Sequence, residues 1–213
     1  MTSIVGRGIR VEIGMTEDTA KTVTAVTLAD PGVATCAAHG LANKSVGYFQ
    51  NVSGMVQLEG QSVRLTGAAT NTFNLEDIDT SSYGAFTAGQ FVPVLTWGTL
   101  GRTTGYDTGG GGSEKLDNTV LLDDVKQEVQ GQGAAQSVTF NLIPATISDT
   151  AMTKLRKVAR ANGYLVFRIT LKDGNVRHFR GQPSLPGESV QKGAIASGSF
   201  SVTVNGVICE GAA

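Results

Sequence analysis

Residues 165–181 read LVFRITLKDGNVRHFRG, and this stretch decides the fold class. Apolar side chains alternate with more polar ones along 165–172, which is typical of a β-strand with one buried face. The apolar set is Leu165, Phe167, Ile169 and Leu171, and the other set is Val166, Arg168, Thr170 and Lys172. Asp173-Gly174 can supply the positive φ angles of a tight turn. The stretch therefore predicts a β-hairpin whose second strand covers residues 176–181.

The same alternation recurs in three other segments, 9–13, 137–142 and 198–208. In each segment, large apolar residues occupy every second position, and Ser, Thr, Asn or charged residues occupy the positions between them. Such a strand buries one face and hydrates the other. These segments predict that the main domain of the protein is a β-sandwich.

Residues 148–163 carry the helical pattern of the chain. Ser148 is placed to cap the first turn, Asp149 complements the helix dipole, and Gly163 can end the helix in the left-handed conformation. The apolar stripe is Met152, Leu155 and Ala159, and the other face carries Lys154, Arg156, Lys157 and Arg160. Because no aromatic residue lies among these charges, we interpret the basic face as a solvated or subunit-facing surface and not as a nucleic-acid site.

The pattern of residue types changes between residues 23 and 94, where short β-like segments are separated by Gly, Asn, Ser and Asp. The segments are 23–28, 33–37, 46–50, 62–67, 72–75 and 91–96. This pattern predicts a small β-module at 23–95, inserted into a main domain formed by 1–22 and 96–213. After the module, Gly109 to Gly112 are too rich in glycine to hold a conformation alone, and we expect them to form a mobile loop.

The composition of the chain argues against several classes of function. The 213 residues include 28 glycines, only 16% are charged, and the formal net charge is −1. This balance argues against tight nucleic-acid binding through phosphate neutralisation, and it leaves little repulsion between copies of the chain. No apolar run approaches the roughly 20 residues of a membrane span, and glycine and charge interrupt the N-terminus before a signal sequence could form. We expect a protein that is made in the cytoplasm, is not exported by itself and associates with itself.

No residue pattern of an enzyme or a metal site stands out. The candidates are His39, His178, Asp77, Asp79, Cys36 and Cys209. The histidines lack metal-ligand spacing and a recognisable nucleophile partner, and the two aspartates lack the rest of a calcium-binding loop. The cysteines are far apart and are interpreted as ordinary reduced thiols. The sequence thus predicts no catalytic residue, no metal and no cofactor.

The segment 97–208 resembles the tail tube proteins of long-tailed, non-contractile bacteriophages in the order and spacing of several short pieces. These pieces are WGTLG at 97–101, KLDNT at 115–119, LDDV at 122–125, GQG at 131–133, SVTFNL at 137–142, FRITLKDG at 167–174 and GSFSVTV at 198–204. The resemblance implies a β-sandwich with a flanking helix. It also implies a structural virion protein whose hexameric rings stack into a hollow tube for DNA delivery.

The segment 24–95 is similar to a small β-barrel module of phage tail and fibre proteins, and to the FCCH subdomain of ubiquitin-activating enzymes. The pieces that carry the likeness are AAHGL at 37–41, VSGM at 52–55, LEG at 58–60, NTFNL at 71–75 and DTSSYGAFTAG at 79–89. The chain departs from the usual pattern at Glu59 and at Asn43-Lys44. We therefore transfer no binding role to the module, and the likeness implies no ubiquitin chemistry.

The tail tube resemblance implies partners and a location. The partners are other copies of the chain and the tail tip or baseplate, tape-measure and tail-terminator proteins. DNA passes through without specific binding, and no membrane binding is expected. The protein is then part of the virion tail and is assembled in the bacterial host cytoplasm. One alternative is a fibre or baseplate protein that uses the 23–95 module as a host-binding adhesin. The other, an enzyme acting on carbohydrate or ubiquitin, is disfavoured because it lacks a catalytic constellation.

Two sets of residues are the candidates for the functional site. The first set would line the lumen with neutral polar side chains over which DNA can slide, and it is Ser137, Thr139, Asn141, Arg168, Thr170, Ser199, Ser201 and Thr203. The second set is the candidate assembly loop Gly109, Gly110, Gly111 and Gly112, which would become ordered against a neighbouring ring. A passive linker is the alternative for this loop. A module of roughly 70 residues would not fit in an open channel, and we expect it to project outward.

Overall fold

The computed structural model describes residues 8–120, 124–144 and 149–212, and these residues are mainly β-structure. The first half of the chain contains β1 (Arg10–Glu17), β2 (Lys21–Val23), β3 (Ala25–Val26), β4 (Val33–Thr35), β5 (Val46–Ser53), a 3₁₀ turn (Val56–Leu58), β6 (Ser62–Thr66), β7 (Thr72–Leu75) and β8 (Ala88–Thr99). The second half contains β9 (Thr103–Gly109), β10 (Ser113–Asp117), β11 (Glu128–Gly133), β12 (Ser137–Leu142), α1 (Thr150–Arg160), β13 (Leu165–Thr170), β14 (Val176–Pro183), β15 (Gly187–Ser189) and β16 (Ser197–Gly211). The predicted fold class, mainly β with one flanking helix, is confirmed.

The strands form one large antiparallel sheet of 14 strands, in the order β3-β4-β7-β6-β5-β8-β1-β13-β14-β16-β12-β9. Two short strands join it from the side, because β15 pairs with β16 and β2 pairs with β8. The hairpin predicted at 165–181 is present as β13 and β14, with Gly174 at a positive φ angle of 87° in its turn. The alternation of side chains along 137–142 is confirmed as β12, which has the same bounds.

The main core lies on the inner face of the curled half of this sheet. It is built around four buried phenylalanines, Phe140, Phe167, Phe179 and Phe200. The ring centroids of Phe140 and Phe167 are 5.9 Å apart, although two strands separate β12 from β13 in the sheet. Adjacent strands lie about 4.8 Å apart, so these rings can meet only if the sheet curls around them. The outer faces of β12 and β13 consequently point in different directions.

Helix α1 packs its apolar stripe on this core, as the pattern of Met152, Leu155 and Ala159 predicts. The predicted cap Ser148 lies outside the described residues, and the cap that the structure shows is Asp149, whose side chain accepts a hydrogen bond from the Met152 amide. The prediction that Gly163 adopts the left-handed conformation is wrong, because Asn162 does so with φ 51°. The Gly163 amide instead donates to the Val158 carbonyl, which closes the last turn.

A second core lies within the segment 23–91 and includes Phe49, Phe73 and Phe91. Among the residues that the structure describes, Cys209 of β16 is the only contribution to this cluster from outside the segment. Strand β8 connects the two regions, because it pairs with β5 on one side and with β1 on the other. The separate core is what an inserted module would show, and the division into two domains stays a prediction.

Candidate functional site

Six of the residues predicted to line a lumen lie together on one face of the sheet. On β12 and β16, Ser137 is opposite Thr203, Thr139 is opposite Ser201, and Asn141 is opposite Ser199. Their neighbours Val138, Phe140, Leu142, Phe200 and Val202 point to the opposite face and enter the main core. Strand β9 extends the polar face, and Asn141 donates a hydrogen bond to Asp107 at 3.3 Å. These six residues thus form a hydrated surface without a basic side chain.

The other two predicted residues, Arg168 and Thr170, lie elsewhere, on β13. The Arg168 guanidinium forms an ion pair with Glu12 at 2.8 Å and lies 4.1 Å from the ring centroid of Trp97. Thr170 is opposite Arg10 on β1 and Val176 on β14. The same face of β13 also carries Val166, which is buried against strands β5 and β8 in a third cluster. The 23–95 segment therefore covers much of this face of the sheet, which the alternation by itself predicts to be hydrated.

The four glycines of the candidate assembly loop join the sheet to a projecting ribbon. Gly109 ends β9, and Gly110 and Gly111 both have a φ angle of 80°, which favours glycine. The pairing of Gly109 with Ser137 continues in step to the pair Ser113 and Gly133. Strands β10 and β11 therefore extend the β9–β12 ladder as a two-stranded ribbon, which forms a sheet of its own.

The ribbon was not foreseen from the sequence as a functional element. Every described side chain of β10 is exposed. Leu116 and Val129 are paired across the ribbon, and each is 52% exposed. The apolar Leu116 between the charged Lys115 and Asp117 is a weak signal that could have indicated a strand. Its exposure could not be predicted, because it depends on where the body of the sheet ends.

The outer side of α1 is the remaining surface of interest. Five residues of the helix and three after its end line an apolar groove of about 780 Å³. The five are Thr150, Thr153, Lys154, Lys157 and Val158, and the three are Ala161, Gly163 and Tyr164. Lys154 donates to the Gly14 and Met15 carbonyls, and burial lowers the pKa of its amine. Arg156 forms an ion pair with Glu188 at 2.6 Å. The basic face is thus partly engaged within the chain, and the Lys157 side chain is exposed.

Comparison with known protein families identifies the class of protein that carries these surfaces. The profile of the phage tail tube protein family, TTP, matches residues 53–208. The chain belongs to this family. Tail tube proteins are structural components of the virion tail and not enzymes, and membership implies assembly into a tube with other tail proteins. The match begins inside the segment predicted to be an inserted module, whose likeness to the FCCH subdomain stays a prediction. No curated protein matches the chain significantly.

The tail tube protein holds its last strand with side chains of the 23–95 segment. The buried Gln61 accepts a hydrogen bond from the Val207 amide at 2.9 Å and donates to the Val207 carbonyl at 3.2 Å. Arg64 donates to the Ala212 carbonyl, and Asp77 accepts from the Glu210 amide. Side chains thus satisfy backbone groups that a neighbouring strand would otherwise bind. These contacts are not local, and no sequence signal indicates them.

A buried histidine lies at the seam of the tail tube protein, where β14 and β16 meet the 23–95 segment. His178 on β14 is completely buried, and its Nδ1 is 3.1 Å from the Ser62 hydroxyl. Burial, aided by the charge of Arg64, lowers the pKa of His178 to about 3. The imidazole is therefore neutral at any ordinary pH. Its Nε2 atom has no hydrogen-bond partner among the described residues.

The other residues considered as catalytic or metal-binding candidates take part in turns or in the packing of the core. His39 Nδ1 accepts from the Leu41 amide, and its ring packs edge-on against Phe73. Asp79 accepts from the Ser81 amide in a turn. Both cysteines are buried free thiols, and burial raises the pKa of Cys36 and brings that of Cys209 to about 12. Within the described ranges, no group of His, Cys, Asp and Glu could hold a metal ion, and no helix is suited to cross a membrane.

Proposed function

We propose that this tail tube protein assembles as closed hexameric rings, which stack into the hollow tube that delivers genomic DNA to the host. The polar face on β9, β12 and β16 carries this proposal, because it is extended, half-buried to exposed and free of basic side chains. The tail tip or baseplate, tape-measure and tail-terminator proteins would be its partners in the virion. Assembly would take place in the host cytoplasm.

The chemistry of the polar face suits DNA passage. Lysine and arginine bind DNA by neutralising its phosphates, and each such contact adds to affinity. The face presents hydroxyl and amide groups from Ser137, Thr139, Asn141, Ser201 and their neighbours, together with the carboxylate of Asp107. These groups keep the surface hydrated and provide no cation for a phosphate to bind. DNA would therefore move along this face without being held.

The curl of the sheet supports an outward position for the 23–95 segment. The inner side chains of β12 and β13 meet in the main core, as Phe140 and Phe167 show. The outer faces of these strands then point away from each other. The outer face of β12 is polar and half-buried to exposed, whereas that of β13 is covered by the 23–95 segment through Val166. If β12 lines the lumen, the segment lies on the exterior of the tube.

Sheet edges explain why closed rings are favoured. Strand β9 is an end strand of the sheet, and its outer edge can accept a strand from a neighbouring copy. A closed ring of such contacts removes the exposed edges, whereas an open chain would leave two. The loop at Gly109 to Gly112 joins β9 to the ribbon, and we assign it to assembly for this reason.

Electron microscopy of the purified protein at high concentration tests the proposal directly. Hollow tubes of uniform width with sixfold rings in end views are expected. A monodisperse monomer over the whole concentration range, or trimers that bind host glycans, would refute tube formation and favour the adhesin alternative.

Lysine substitution tests the role of the polar face. Phage carrying Ser201→Lys should assemble tails but deliver DNA more slowly, because each added cation contributes a phosphate contact. Ser82→Lys is the matched control, since Ser82 is an exposed serine of the 23–95 segment. Equal DNA ejection rates for both variants, measured with a fluorescent DNA dye, would refute a lumenal position of the face.

A further inference from the structure

The ribbon of β10 and β11 has apolar side chains that no other part of the described structure buries. A two-stranded hairpin is marginally stable by itself in water. Here Leu116 and Val129 form an apolar pair on the ribbon, and half of each side chain is exposed. Val120 and Val125 beyond them are exposed by 58% and 75%. An exposed apolar hairpin of this kind gains stability when another surface covers it.

The groove on α1 has properties that complement those of the ribbon. Its residues Thr150, Lys154, Lys157 and Val158 recur at helical spacing on one side of the helix, and Tyr164 extends it. The lining is mostly apolar, and Tyr164 is 46% exposed. The exposed Lys157 adds a positive charge to this lining. The groove therefore suits an apolar segment that also carries carboxylates.

The ribbon has that charge pattern. Its described residues hold four carboxylates, Glu114, Asp117, Asp124 and Glu128, against two lysines, Lys115 and Lys126. Both lysines form ion pairs with carboxylates of the ribbon itself. The described ribbon is therefore acidic overall. By contrast, α1 carries only basic charged residues, at Lys154, Arg156, Lys157 and Arg160.

The ribbon and the groove are supported by different parts of the sheet. The ribbon extends the β9–β12 ladder beyond the pair of Gly109 and Ser137, whereas α1 packs on β1, β8 and β14. Strand β16 lies between β12 and β14 in the sheet. Leu116 and Val129 of the ribbon are half exposed, so the helix of the same copy does not cover them. A contact between the ribbon of one copy and the helix of another is head-to-tail, and such contacts repeat along an axis.

We propose that the groove on α1 is the docking site for the β10–β11 ribbon of a neighbouring copy. Leu116 and Val129 cover the apolar lining, and the carboxylates of the ribbon lie beside Lys157. This contact joins one ring to the next, so the inference rests on the proposed tube function.

Zero-length cross-linking of assembled tubes tests this contact. Tubes are assembled from equal amounts of ¹⁴N- and ¹⁵N-labelled protein and treated with a carbodiimide, which joins a lysine amine to a carboxylate in contact. The expected product links Lys157 to a ribbon carboxylate, in peptide pairs of mixed isotope composition. Links from Lys157 only to carboxylates outside the ribbon, such as Glu188, would overturn the docking site while tube formation stands. Absence of tubes would overturn the proposed function and the docking site together.

A charge reversal provides an independent measurement. Lys157→Glu should raise the critical concentration for tube formation about tenfold, because it places a carboxylate beside an acidic ribbon. The matched control is Lys192→Glu, which reverses another exposed lysine outside the groove. Thermal unfolding of the soluble Lys157→Glu protein should occur within about 4 °C of the wild type, because the side chain is exposed and the carboxylate acts only against the dipole of the last helical turn. Equal critical concentrations for the two variants would contradict the docking site.

Discussion

Replacing the buried His178 should remove a large part of the acid sensitivity of folding. The imidazole lies at the seam between β14 and the 23–95 segment, next to Ser62 and the Arg64 charge. Its pKa is about 3 in the folded protein, whereas the ordinary value is 6.5. Between these two pH values the unfolded chain binds a proton that the folded protein does not. Folding stability is therefore retained above pH 6.5 and falls as the pH drops toward 3.

The size of the effect follows from the proton difference. One proton changes the free energy of unfolding by about 1.4 kcal/mol per pH unit. At pH 5, protonation of His178 in the unfolded chain lowers the free energy of unfolding by about 2 kcal/mol. The pKa of the unfolded chain sets this figure as long as the pKa of the folded protein lies well below 5. Carboxylates titrate in the same range, so the wild type must be compared with His178→Leu. Leucine has a similar volume and no proton to bind.

The assay is urea unfolding of the monomer at pH 8 and pH 5. The difference in unfolding free energy between the wild type and His178→Leu should shift by about 2 kcal/mol in favour of the variant at pH 5. Ser62→Ala serves as the control, because it removes the hydrogen-bond partner and keeps the imidazole. Parallel pH curves for the wild type and His178→Leu would refute the reasoning, whatever the stability of the variant at pH 8.

Two further predictions concern the seam and the main core. Gln61→Ala should cost about 1–3 kcal/mol and speed hydrogen exchange at the Val207 amide, because two backbone groups of Val207 lose their partner; unchanged exchange relative to the exposed control Gln57→Ala would contradict this. Phe167→Ala should cost about 3–5 kcal/mol in urea unfolding, since Phe167 stacks on Phe179 at 5.3 Å and meets Phe140; a loss below about 1 kcal/mol would show that the inner face of the sheet is not the main core.

The sequence was sufficient for the elements whose signal is local. The hairpin at 165–181, the strand at 137–142 and the helix stripe of Leu155 all follow from side-chain period and turn chemistry within a few residues. Helix ends were less predictable. Asn162 and Gly163 are adjacent, and either can adopt the left-handed conformation, so the backbone geometry of the turn decided between them.

The candidate polar face was predictable only in part. The six residues on β12 and β16 share one face because strand period and antiparallel pairing place them there. Arg168 has the same alternation on β13, yet it is paired with Glu12 and lies against Trp97. The period of a strand states which residues share a face. It does not state what covers that face.

The sequence by itself determined the β class, the strand faces and the resemblance to tail tube proteins, because these depend on neighbours along the chain. The tertiary structure decided which faces are exposed. Val166 and His178 are buried because strands from the 23–95 segment pack over them, and Gln61 binds Val207 across a separation of 146 residues. Such contacts form only when the sheet curls and distant segments meet. For this reason the covered seam and the projecting ribbon became visible only in the folded chain.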